Sequence, residues 1–513
     1  MESLMPTSLI LIILLITTTS LLSITFYRLV LSPISHIPGT PLWCISRLPF
    51  AYHVCVGRIT YTIASLHDQY GPVVRVAPNE ISFITPEAWN DIYGMVKGED
   101  GGKVQMRKDP DLFFRPSEGS KDMTFELDDV EHARQRRVFS HAFSDKSLRD
   151  QEPIIASYIN KMSDRLHEIC DKPVNMSAWF NYVLFDTSGD LVLGDSFGCL
   201  ENGALHPWIN NLFSVTKGIT LMGMTQRFWP LTPILMFFVP KKMRNMEVEH
   251  RALIKERLEK RFAKTTPRKD IISTIAPFLN APGPNSITTT ELYHNTSILV
   301  PAGSETSATT LTGLLYYLLT NSRTLSNLKT EVRSAFSNAS DITMESVMSL
   351  TYQNAAISEA FRLFTPLPGS MRRITPPGGS TISGIYIPGN TIVAVDSYAA
   401  SHSSSNFHDP EAFIPERWLT PQDLASVNRP KDFAAEFKND KRGVVQPFST
   451  GPRNCIGQRL AMAQIRLIVA RLTWEFDFEL DEESMGWVEG IKVYTMYERP
   501  PLMCRLTPVR RRE

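Results

Sequence analysis

The segment Phe448-Ser449-Thr450-Gly451-Pro452-Arg453-Asn454-Cys455-Ile456-Gly457 constrains this chain more than any other. An apolar helical pattern follows it through Leu460, Ala463, Leu467, Ile468 and Leu472. Two glycines let a backbone approach a bound group closely, and a thiolate at a helix N-terminus is stabilised by the dipole and by amide donors. The loop arginine can pair with an anionic part of the same ligand. A lone free cysteine is more often a buried structural residue. Here Phe448, Gly451, Arg453, Cys455 and Gly457 hold fixed spacing, a match that chance produces on the order of 10⁻⁴ times per chain. The spacing therefore predicts a ligand-bearing thiolate at Cys455. The other cysteines, Cys44, Cys55, Cys170, Cys199 and Cys504, are scattered without CxxC pairs, which argues against a disulfide scaffold and a structural zinc site.

Lys+Arg and Asp+Glu are both 53 in 513 residues, so the basic excess expected of a nucleic-acid binder is missing. With 43% hydrophobic residues, disorder is excluded too. The length suffices for a large core that encloses a cofactor. Between Glu2 and Arg28 no residue is charged. As a helix rising ~1.5 Å per residue, this stretch spans a ~30 Å hydrocarbon core. A secretory signal would carry a basic start and a small-residue cleavage site. Arg28, Arg47 and Arg58 precede the first acid beyond the run, Asp68, which puts the body in the cytosol. We therefore expect a transmembrane anchor over 3–31, a stiff, non-helical Pro-rich link over 32–49 and a catalytic domain over 50–513.

Within that domain, Val73–Val76 and Ile81–Ile84 read as strands, about 125–365 as mostly helix, and the stretch with Ile382, Ile385, Ile387 and Ile392–Val395 as strands again. The fold class is mainly α with small β-sheets. No Gly-rich dinucleotide fingerprint or phosphate loop precedes a helix, so no nicotinamide site of the chain's own is expected. Thr288-Thr289-Thr290-Glu291 forms a capping box, from which a helix could run to about Thr320. Its middle, Pro301-Ala302-Gly303-Ser304-Glu305-Thr306, lacks a backbone donor at Pro301 and a side chain at Gly303. A kinked core helix is one account; a groove beside a cofactor, lined by a hydroxyl and a carboxylate, is the other.

The cysteine loop resembles the signature of the cytochrome P-450 heme-thiolate monooxygenases, Phe-x-x-Gly-x-Arg-x-Cys-x-Gly. Three further motifs of that family follow its order: Ala302-Gly303-Ser304-Glu305-Thr306, Glu359-Ala360-Phe361-Arg362, and Pro415-Glu416-Arg417-Trp418. His132-Ala133-Arg134-Gln135-Arg136-Arg137 with Ser140-His141-Ala142-Phe143-Ser144 is similar to the filamentous-fungal secondary-metabolism branch. The resemblance implies the cytochrome P-450 fold behind one N-terminal transmembrane helix, and heme b with iron ligated by the Cys455 thiolate. It implies heme contacts at Phe448 and Gly457, and propionate binding by His132, Arg136, Arg373 and Arg453. Glu359, Arg362 and Arg417 would form a structural charge cluster, and Glu305 and Thr306 the catalytic proton relay. Pro301 departs from the family, which usually has an ordinary apolar residue there.

The implied reaction inserts one oxygen atom from dioxygen into a lipophilic substrate, by hydroxylation or epoxidation, in secondary-metabolite biosynthesis. Electrons would come from a separate NADPH-dependent reductase in the same endoplasmic reticulum membrane, docking near Lys441, Arg442 and Arg459. Substrate contacts are expected within Lys97–Phe125, including Met106, Phe113 and Phe114, and within Leu205–Val239. The latter holds Phe228-Trp229-Pro230-Leu231 and Ile234–Val239 ahead of Lys241-Lys242, a stretch that either dips into the membrane interface or packs in the core. The alternative reaction is that of a heme-thiolate isomerase or dehydratase needing no external electrons. Such branches often lose the acid–Thr pair that this chain keeps. A third reading, a membrane-anchored heme sensor without turnover, gives that pair no purpose.

Overall fold

The computed structural model describes residues 7–98, 102–113, 122–228, 230–237, 241–264, 268–427 and 430–509. Residues 3–6 of the expected anchor, Phe114, Trp229, Phe238, Val239 and residues 510–513 lie outside these. The first helix, Thr7–Phe26, continues as a π-helical turn over Tyr27–Leu31. Its stretch Leu9–Leu31 has a mean hydropathy of 2.4 over its most apolar window, and nothing in that window is buried inside the protein. It is the one helix among the described residues long and apolar enough to cross a membrane.

The segment after it differs from the expected stiff, non-helical link. Pro41 opens a short helix, Pro41–Ile45, where its missing N–H costs nothing, and a second helix spans Leu48–Cys55. Ile34, Ile37 and Trp43 are buried against the strands of the first sheet. Arg75, itself buried, donates from Nη1 to the Arg28 carbonyl and from Nη2 to the Pro78 carbonyl, both at 2.7 Å. The Arg28 guanidinium in turn reaches the Ile45 carbonyl. The end of the first helix is thus docked by buried donors and apolar contacts, which proline spacing alone does not reveal.

The expected strands form. Val73–Ala77 and Glu80–Phe83 pair antiparallel, and Ile392–Val395 joins parallel to the second of them. Arg373–Ile374 and then Arg107–Lys108 complete a five-stranded sheet. Its register sets Lys108 opposite Arg373.

The central helix runs over Thr289–Leu319, with the Thr288–Glu291 capping box intact. It packs most against Met176–Leu193, and also against Lys241–Ala263, Thr351–Leu363, Gln458–Glu475 and Ser322–Ala335. Met176–Leu193 is buried on nearly every side, and its buried Asp186 carboxylate accepts from the amides of Phe197, Cys199 and Leu200. Pro301 does not interrupt the central helix. It cannot donate to the Ser297 carbonyl one turn back. His250, from the helix Lys241–Ala263, supplies that bond instead through Nε2 at 3.1 Å.

Candidate functional site

Each half of the site is built on one helix. Cys455 stands just ahead of Gln458–Glu475, with Gly457 as the N-cap residue. The loop is held tightly from behind. The Cys455 amide donates to the Phe448 carbonyl at 2.8 Å, and the Asn454 amide to the Gly451 carbonyl at 3.1 Å. Gly451 has φ +74°, and a Cβ there would lie 2.0 Å from the Tyr93 carbonyl oxygen, so only glycine fits. A Cβ on Gly457 would meet nothing nearer than Cys455 Sγ at 3.9 Å. Phe448 packs edge-on against Phe361, which ties the loop to the helix bearing Glu359 and Arg362.

Cys455 presents accessible surface, yet it sits deep enough in the fold that burial pushes its thiol pKa up. The amides of Gly457 and Gln458 and the Arg136 guanidinium act the other way. A thiol both accessible and deeply surrounded lies against an internal hollow rather than bulk solvent. Ala302 gives the same indication, being exposed in the middle of the otherwise buried central helix. On that helix Ser297, Ile298, Pro301, Ala302, Glu305 and Thr306 share one face, and this face lines a cavity of about 1010 Å³. Thr306 Oγ1 donates to the Ala302 carbonyl at 2.7 Å, leaving its lone pairs on the cavity side.

Positive groups converge beside the hollow. His132 is buried, and its pKa is lowered to about 3 by desolvation and then by Arg453, Lys108, Arg136 and Arg373. Arg373 is buried with no acid in ion-pair distance among the described residues; its Nη1 reaches only the carbonyls of Met371 and Arg372. Its guanidinium lies over the rings of Tyr93 and Phe113. Arg136 is partly engaged elsewhere, donating at 2.6 Å to both the carbonyl and the side-chain oxygen of Asn454. Arg453 bonds Asp129 at 2.7 Å and the Glu126 carbonyl at 2.7 Å. Arg373, buried without an ion pair among the described residues, suits an anionic group placed beside the thiol, with His132 and Arg136 next to it. The residues present fit heme.

Sequence reading missed Lys108 in this cluster, because only the sheet register sets it beside Arg373. It also missed that Arg134 is no solvated surface charge: it pairs with Glu291 of the capping box. Glu359, Arg362 and Arg417 do come together, with their side chains fully buried. Arg362 donates to both Glu359 oxygens, at 2.9 and 2.7 Å, and Arg417 Nε adds a bond at 3.0 Å. Burial would raise the Glu359 pKa, but Arg362 and Arg417 hold it below its ordinary value. Among the expected substrate contacts, Phe113 lines the cavity, as do Leu205, Leu221 and Met224. Met106 instead packs in the core beside the first sheet.

Taken with this geometry, the comparison that decides the family is the cytochrome P-450 family model, which matches residues 37–502. The chain belongs to the cytochrome P-450 family. It is similar to the cytochrome P-450 monooxygenase astJ of Aspergillus oryzae, 38% identical over 489 residues that cover 94% of this chain and 93% of that protein. The cytochrome P-450 monooxygenase cpaH of Aspergillus oryzae is 39% identical over 504 residues, covering 97% and 94%. The averantin hydroxylase of Dothistroma septosporum is 38% identical over 491 residues, covering 95% and 89%. The chain is accordingly a heme-thiolate monooxygenase that uses heme b, dioxygen, a small-molecule substrate and a redox-partner reductase.

Proposed function

We propose that this cytochrome P-450 is a membrane-anchored monooxygenase that hydroxylates or epoxidises a lipophilic intermediate of secondary metabolism. Cys455 holds the heme iron, and His132, Arg373, Arg136 and Arg453 hold the propionates, with Lys108 joining them. When bound, the heme supplies activation of dioxygen and transfer of one of its atoms, the other leaving as water. The protein's own work is placement and protons. The cavity walls orient the substrate and exclude water from it. Thr306 Oγ1, whose hydrogen lies on the Ala302 carbonyl, accepts and passes a proton on the cavity side. Glu305 takes up the proton and passes it on, burial shifting its pKa upward. The observation that carries the reading is the Glu305–Thr306 pair lining the cavity, a pair that an isomerase without external electrons has no need of. The hydroxylase among the relatives supports an oxygen-inserting reaction.

A lipophilic substrate fits the approach to the cavity. Leu231, Ile234 and Phe237 are exposed on the segment before Lys241, and Leu42, Leu48 and Tyr52 are exposed in the region that follows the anchor. These side chains suit an interfacial membrane surface rather than core packing. Electrons come from an NADPH-dependent reductase at the face with Lys441 and Arg442, both exposed. Arg459 is already paired there with Asp145. Reconstitution with such a reductase is expected to give NADPH oxidation that a substrate stimulates. Product formed without NADPH would contradict the monooxygenase reading and favour the isomerase.

We place the body on the cytosolic face of the endoplasmic reticulum. Asn175, Asn295 and Asn338 match glycosylation sequons, and each is expected to be unmodified. Asn295 is buried and bonded to Gln135, so it is unreachable after folding on either side of the membrane. Asn338 lies at the surface and reports topology directly. A mass loss at Asn338 on glycosidase treatment of the native protein would put the body in the lumen.

A further inference from the structure

The two oxygens of Glu305 have different surroundings. Oε1 accepts from Arg499 Nη2 at 2.6 Å, with both side chains almost wholly buried. Oε2 is buried and has no hydrogen-bond partner among the described residues. Arg499 comes from a distant part of the chain, immediately after the hairpin of Lys492–Val493 and Tyr497–Glu498. The stretch from Tyr494 to Pro501 lines the same cavity as Glu305 and Thr306. Arg499 Nη1 also reaches Thr312 Oγ1 at 3.3 Å, so one guanidinium braces two positions of the central helix.

Among the described residues Arg499 is the one charged group that acts on Glu305; the other polar influence is Thr309, on the same helix. Charged groups elsewhere on the cavity wall have other partners. Arg227 is held by Asp109 and Asp111, Arg372 by Glu80, and Asp396 is acted on by Arg372. Burial raises the Glu305 pKa, and Arg499 limits the rise. A carboxyl left alone in that position would stay protonated and give up its proton reluctantly.

We infer that Arg499 is a positioning residue for proton delivery: it ties Glu305 by one oxygen to the cavity wall beside Thr306 and leaves the other oxygen to take up and release the proton. The inference rests on the Glu305–Thr306 relay. A proton from solvent adds to the Glu305 carboxylate and leaves toward Thr306, and the carboxylate returns to Arg499; no electrons move in this step. Because the hairpin lines the cavity, a substrate pressing on it also bears on Arg499.

The test uses the full, heme-loaded chain as wild type, Glu305→Gln, Arg499→Met and Arg499→Lys, each checked for heme content. Infrared difference spectra against Glu305→Gln follow the carbonyl stretch of protonated Glu305 with pH, which requires no substrate. In Arg499→Met the midpoint is expected to move to higher pH, since removing a cation favours the neutral acid. Product per NADPH, measured with the precursor that accumulates on gene deletion, is expected to fall about tenfold or more, with its pH profile displaced the same way. Arg499→Lys, which keeps the charge without the fork, restores most of the midpoint and part of the yield. If Arg499→Met loads no heme, Arg499→Gln is read in its place. If Glu305→Gln lowers the yield but loss of Arg499 moves neither midpoint nor pH profile, the positioning role is wrong and the relay stands. If Glu305→Gln gives the wild-type yield, the relay falls and the role of Arg499 with it.

Discussion

Cys455→Ala is expected to abolish the absorption band that reduced, carbon monoxide-bound heme shows with a thiolate ligand, and all product formation with it. The reason is positional. Cys455 is the thiol whose loop is fixed by the Phe448 carbonyl and the Gly451 turn, and whose sulfur feels the Arg136 guanidinium. In the bare protein burial works against the thiolate, and a heme iron bound there would supply positive charge that favours it. The same substitution at Cys44, Cys55, Cys170, Cys199 or Cys504 should leave the band in place. Cys44, Cys199 and Cys504 are buried packing residues, and Cys55 and Cys170 belong to other parts of the surface. Loss of the band in one of those five, with retention in Cys455→Ala, would relocate the site.

The second large effect is at Thr306. Thr306→Ala should leave heme content and the carbon monoxide spectrum unchanged, because its hydroxyl bonds the Ala302 carbonyl of its own helix. Electron flow should continue while product per NADPH falls about tenfold or more and hydrogen peroxide takes its place. Thr306→Ser keeps the hydroxyl and should retain most of the yield. Equal yields in wild type and Thr306→Ala would remove that hydroxyl from the reaction.

What could be read from the sequence was local or motif-bound. The capping box at Thr288 and Glu291 acts within one turn, so its residues show the helix start directly. Glu359 and Arg362 are three apart on one helix face, and their ion pair follows from that spacing. The cysteine loop is legible because one short segment carries the thiol, the glycines and the arginine. What stayed hidden depends on which distant segments meet. Lys108 faces Arg373 only through the pairing of two short strands. His250 reaches the carbonyl freed by Pro301 from another helix, and Arg499 meets Glu305 from the far end of the chain. The segment after the anchor misled for a related reason. Its prolines suggest an extended link, whereas burial of Ile34, Ile37 and Trp43 depends on a surface that the later strands provide. Arg136 carries a second task that the motif does not reveal, since two of its donors hold Asn454 of the cysteine loop.

The central claim is oxygen insertion, and the most direct measurement is the source of the oxygen in the product. The chain, reconstituted with an NADPH-dependent reductase, is given isotopically heavy dioxygen and the precursor that accumulates when the gene is deleted. Oxygen insertion predicts one heavy oxygen atom in each product molecule, formed only while NADPH is consumed. A product without the label, formed at the same rate in the absence of NADPH, would contradict it.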